Sequence, residues 1–123
     1  MKNIIKVPIL NDEYKVIVCW GDSEQIEKVL KFYGHKPEQT KSSLLNNRGV
    51  CFYHDSFHPI IALPEKPKTA EQIGTLAHES VHAIEDIFLK ISQPIGGELF
   101  AHSVGAVVRK VLSNSHQDTR KIK

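Results

Sequence analysis

His78, Glu79 and His82 are the residues of this chain whose types and spacing add up to chemistry. They stand in the run Leu76-Ala77-His78-Glu79-Ser80-Val81-His82-Ala83-Ile84, an H-E-x-x-H pattern. On a helix, residues four apart are about one turn and roughly 6 Å of rise from each other and share a face. Two imidazole nitrogens can then reach one ion. Zinc takes such nitrogens into a tetrahedral shell and, in catalytic sites, keeps one position for water. Glu79 lies about 100° around the helix from His78, on the flank of that ion. A carboxylate there can take a proton from the water while the metal polarises a scissile carbonyl. The plain alternative is a helix with two ordinary histidines.

A catalytic zinc usually has a third protein ligand. The run Gly96-Gly97-Glu98-Leu99-Phe100-Ala101-His102 supplies two candidates one turn apart, Glu98 and His102. A helix that returns antiparallel after a short turn can bring its first turn beside the preceding helix. Glu98 would then complete a His-His-Glu shell, leaving His102 to hydrogen-bond a ligand or meet the substrate oxyanion. The rival assignment makes His102 the ligand and Glu98 its support. Glu98 alone would be explained by the positive end of a helix, which favours a carboxylate. Glu85 shares the His78 face two turns on, and reads as a solvated charge or a partner of His82. Turn chemistry accounts for Asp55 between His54 and His58 without a metal.

These residues need elements to hold them. Asn3 to Leu10 and Tyr14 to Trp20 are apolar, β-branched runs parted by Asn11-Asp12-Glu13, the pattern of a hairpin. Asp22 or Ser23 caps a helix with Ile26, Val29, Leu30 and Tyr33 on one face, and Gly34 ends it. His35 to Arg48 is polar and without period, and reads as a long loop bordering the cleft. Gly49 to His54 and Pro59 to Leu63 form a second hairpin. Thr69 caps the helix that carries the motif to about Lys90, and Pro94, Gly96 and Gly97 reverse the chain. The last helix is expected from Glu98 to about Leu112, with 113–123 a fraying tail.

The segments TLAHESVHAIEDIF and GGELFAHSVGAVV together resemble the small zincin-type metallopeptidases, gluzincin-like and often encoded by phages and prophages. In that group an H-E-x-x-H-A helix is followed by a helix with an E-x-x-A-Y/H-x-x-G pattern. The resemblance covers roughly residues 60 to 108, under half the chain. It implies zinc at His78, His82 and Glu98, a catalytic base at Glu79, and Ile60 to Leu63 as the sheet edge that receives an extended peptide. Where many of these proteins carry Tyr, this chain has His102, which leaves the oxyanion role open. The implied fold is α+β and zincin-like: a small mixed β-sheet with an early helix, an active-site helix and a C-terminal helix.

Size and composition agree with one domain. The chain has 123 residues, 41% hydrophobic and 24% charged, enough for a single core without staples. A net charge of +2, partly from Arg120, Lys121 and Lys123, argues against a nucleic-acid partner. Cys19 and Cys51 fall in apolar strands and read as core thiols rather than a metal pair or disulfide. The first residues, MKNIIKVPILNDEYK, do not read as a signal peptide, and no run approaches a membrane span. The expectation is a cytoplasmic zinc hydrolase, in a host cell if phage-encoded, that cleaves a peptide or protein substrate. Its oligomeric state is open. The alternative is a zinc-containing, non-catalytic module that binds a host or phage protein; Glu79 between the ligands speaks for the enzyme.

Overall fold

In the first thirty residues, two strands and a helix follow from local signals. β1 (Ile4–Ile9) and β2 (Tyr14–Trp20) pair antiparallel, Ile4 opposite Cys19 through to Ile9 opposite Tyr14. The turn between them carries Leu10, Asn11 and Asp12 at positive φ, a conformation that Asn and Asp tolerate better than most residues. Asp22 caps α1 (Ser23–Phe32), its carboxylate accepting from the Gln25 N–H while the Gln25 side chain accepts from the Asp22 N–H. The computed structural model describes residues 3–35, 48–54 and 57–122. The expected long loop, His35 to Arg48, therefore falls mostly outside the described residues.

β3 (Val50–His54) and β4 (Phe57–Leu63) form the second antiparallel pair, with a register shift between Phe52 and His54. β4 also pairs with β2, in parallel, which makes one mixed four-stranded sheet ordered β1-β2-β4-β3. This corrects one expectation. Ile60 to Leu63 is not a sheet edge, because β4 lies between β2 and β3, and the edge on that side is β3. The physical reason is burial on both faces: Ile60, Ile61 and Ala62 are fully buried and Leu63 nearly so. A strand covered on both sides reads as a continuous apolar run, whereas an edge strand alternates. β1, at the far edge, does alternate.

Two helices cover one face of the sheet and α1 the other. α2 (Ala70–Lys90) starts at Thr69, whose hydroxyl accepts from the Gln72 N–H in a second capping box. α3 (Gly97–Ile122) follows a reversal in which Gly96 and Gly97 both take positive φ, open to glycine without strain. Val7, Val16, Val18 and Ile61 meet Leu76, Ile84, Phe88, Val107 and Val111 of these helices in the larger core. On the other face Ile17, Cys19, Ile60 and Ala62 meet Ile26, Val29 and Leu30 of α1. Phe88 is fully buried and stacks edge-to-face on Phe100 at 5.5 Å, tying α2 to α3. Deleting such a ring typically costs about 3–5 kcal/mol. α3 runs on to Ile122 rather than ending near Leu112, since no glycine or proline after Gly105 stops it. The architecture is thus a small α+β domain, a mixed sheet between one helix and two. No described helix is long and apolar enough to cross a membrane.

Candidate functional site

α2 presents different residues to three surroundings. Leu76, Ala83, Ile84, Ile87 and Phe88 point into the core, and the buried Ser80 hydroxyl donates to the Leu76 carbonyl at 2.7 Å. His78 and His82 lie on the exposed side, their rings edge-to-face with centroids 4.9 Å apart. Glu79 sits between those settings, only 9% exposed. The two Nε2 atoms of the histidines are 3.3 Å apart. Two nitrogens bound at 2.0–2.1 Å to one tetrahedral ion stand about 3.3 Å from each other, from elementary geometry on usual zinc–nitrogen lengths. A single N–H···N bond between the rings would also span that distance. The donor pair nevertheless suits zinc: two imidazole nitrogens converge on one point, in a setting open enough to admit an ion.

Glu79 has its own partner. The N–H of Cys51, on β3, donates a hydrogen bond to its carboxylate. A strand's N–H groups alternate between its two edges, so this one points away from β4 and would otherwise be an open edge donor. Burial raises the Glu79 pKa above the ordinary carboxylate value, while His78, His82 and the Cys51 N–H pull it back down. The result is a carboxylate partly shielded from water beside two groups that favour its charge.

Two adjoining hollows of about 480 and 240 Å³ flank this carboxylate and share it and Gly49 as walls. The larger takes in His78, Gly74 and Thr75, with Arg48 and Glu71 joined as an exposed ion pair at its rim. The smaller takes in His82, Cys51 and Tyr53, and the Tyr53 ring is 55% exposed. Spacing along the sequence pointed to none of Arg48, Gly49, Cys51 and Tyr53, because strand β3 meets helix α2 only in the fold. A partial signal existed: in a strand, Cys51 and Tyr53 must share a face.

Glu98 and His102 are both exposed on the first turns of α3. The Phe88–Phe100 contact sets this part of α3 beside the C-terminal half of α2, beyond His82. Among the described residues no group of three or more His, Cys, Asp or Glu side chains gathers to hold a metal. The structure thus brings together His78, Glu79 and His82, and leaves Glu98 and His102 apart from them.

The two cysteines are free thiols in different settings. Burial alone pushes Cys19 up to about 12 from 9.0. Cys51 is raised by burial first, then by the carboxylates of Glu79 and Asp86. His58, at the start of β4, is held below the usual histidine value by burial, with Lys15 and Lys90 adding to it. No family model matches the chain, and no curated protein or solved structure does either.

Proposed function

We propose that the protein is a zinc-dependent hydrolase, of the small zincin-type metallopeptidase class, that cleaves peptide bonds. The observation that carries this reading is the pair of Nε2 atoms 3.3 Å apart with a shielded carboxylate one residue along the helix. His78 and His82 would hold the ion, which when bound supplies a Lewis acid for the carbonyl and acidifies a water. Glu79 takes the proton as the water oxygen bonds to the carbonyl carbon. It returns that proton to the amide nitrogen as the carbon–nitrogen bond breaks. Burial of Glu79 supports the role, since a carboxyl raised above its ordinary range holds a proton more readily between the two steps.

Glu98 is proposed as the third ligand on the strength of the resemblance, with His102 poised for the carbonyl oxygen. The rival assignment makes His102 the ligand and Glu98 its support. Either would have to draw the start of α3 toward His82, and that helix begins at Gly97, next to Gly96. A non-catalytic zinc module has no use for a carboxylate lodged between its ligands in an open hollow. The test is metal content and hydrolysis together. Protein dialysed mildly and assayed by mass spectrometry should hold one zinc per chain, and should cleave fluorescein-labelled casein. Chelation should abolish cleavage and added zinc restore it. A folded chain that takes up no zinc when offered it overturns the proposal.

A further inference from the structure

We propose that Gly49 is a positioning residue for Glu79, its missing side chain letting strand β3 approach α2 closely enough for the Cys51 N–H to hold the carboxylate. The proposal rests on the reading of Glu79 as the base, but its geometry stands apart from that reading. Gly49 is buried, at the mouth of β3, and is a wall of both hollows. It does not occupy the left-handed region, so backbone freedom does not explain it. Space does. A Cβ at this position would meet Thr75 Cγ2 at 2.8 Å, Leu63 Cδ2 at 2.9 Å and Glu79 Cγ at 3.5 Å.

The first two distances are closer than carbon atoms pack, and neither neighbour is free to yield. Thr75 is oriented by its hydroxyl, which donates to the Glu71 carbonyl at 3.2 Å, and Leu63 is 2% exposed in the core. A side chain at 49 therefore presses β3 off the Thr75 methyl of α2 and crowds the Leu63 methyl of the neighbouring strand β4. Cys51 lies two residues further on, and its N–H is the described donor to the Glu79 carboxylate. Such bonds weaken steeply once stretched beyond about 3.2 Å, so a shift of a few tenths of an ångström suffices. A released carboxylate can swing within the hollow and lose its aim between the two imidazoles. The residue acts through Glu79 and touches no substrate.

The reporter is the Cys51 amide, followed by NMR hydrogen exchange in the full chain. Glu79→Ala should speed its exchange about tenfold, the factor expected for one hydrogen bond to a charged group. Gly49→Ala should do the same, and casein hydrolysis should fall with it, while zinc binding at His78 and His82 stays within a few-fold. The variant Gly49→Ala/Thr75→Ser/Leu63→Val removes both obstructing methyl groups and should restore the amide protection and the hydrolysis together. If Gly49→Ala does not fold, that rescue variant carries the test alone. It must fold with Cys51 protected, and its failure to do so overturns the proposal. Unchanged Cys51 protection in Gly49→Ala or in Glu79→Ala also overturns it. A native chain without zinc or hydrolysis would sink the proposed function, whereas the Cys51 exchange would still decide the role of Gly49.

Discussion

The two faces of the sheet are built from the same kinds of strand residue yet end differently. On the α1 face, Ile17, Cys19, Phe52, Ile60 and Ala62 close against Ile26, Val29 and Leu30, and the packing is apolar throughout. On the other face an equally apolar core reaches edge strand β3 through the partly buried Cys51, and there α2 lodges Glu79 with two histidines outside it. The difference lies in the margin. A helix laid over the middle of a sheet buries its side chains completely, but one laid beside an edge strand leaves an open hollow. In that hollow a carboxylate can be half shielded and still reach solvent. The α1 face should therefore bear stability alone, and the α2 face both stability and chemistry.

The sharpest way to break that contrast is to remove an imidazole. His82→Ala takes away one of two converging nitrogens and should weaken zinc by well over 100-fold, more than the 10–100-fold typical of losing a supporting partner. The fold should survive, since His82 is exposed. Isothermal titration with zinc chloride gives the affinity. Binding within a few-fold of the native chain would mean that the two histidines only bond each other.

Next comes the base. Glu79→Gln keeps the shape and both imidazoles but cannot take a proton. Zinc content should persist while casein hydrolysis falls about 10²–10⁴-fold, the usual contribution of a general base. Equal turnover in the variant would remove Glu79 from the mechanism and favour the binding module.

The third ligand is a smaller and finer comparison. Glu98→Ala should lower zinc affinity more than His102→Ala, whose effect should stay within about 10–100-fold and fall mainly on turnover. Titrating both variants with zinc against a chelator gives the two affinities. The reverse order would make the shell three histidines.

How much of this was legible beforehand follows the distance over which each signal acts. The H-E-x-x-H spacing, both capping boxes and the Gly96–Gly97 reversal are local, and the helices began where Asp22, Thr69 and Gly97 say they should. The hairpins were legible for the same reason. The edge was not, although Ile60-Ile61-Ala62-Leu63 carried the warning: a run apolar at every position is covered on both faces. Only the pairing of β2 with β4 reveals β3 as the margin beside Glu79. Gly49 and Cys51 matter because a strand and a helix far apart in sequence meet there. No spacing within either segment encodes that meeting.

Cys19 offers the gentlest test, on the face assigned to stability alone. Burial raises its thiol from 9.0 to about 12, because the thiolate is poorly tolerated among Ile17, Ala62 and Leu30. The folded-state value lies above the unfolded one, so the stabilisation is fully present below pH 9.0 and declines as pH rises toward 12. At pH 10 the unfolded chain is mostly ionised at this residue and the folded chain is not, which amounts to about 1.4 kcal/mol, or tenfold in the folding equilibrium. Cys51 shifts in the same direction, so the native chain alone cannot separate the two. Cys19→Ala removes one of them. Urea unfolding at pH 8 and pH 10 should show the native chain losing about 1.4 kcal/mol more than the variant, with zinc affinity at pH 8 the same in both. An identical alkaline loss in the two chains would mean that Cys19 ionises freely and that the α1 face is not closed. A change in zinc affinity would mean that the two faces are not separate in their duties.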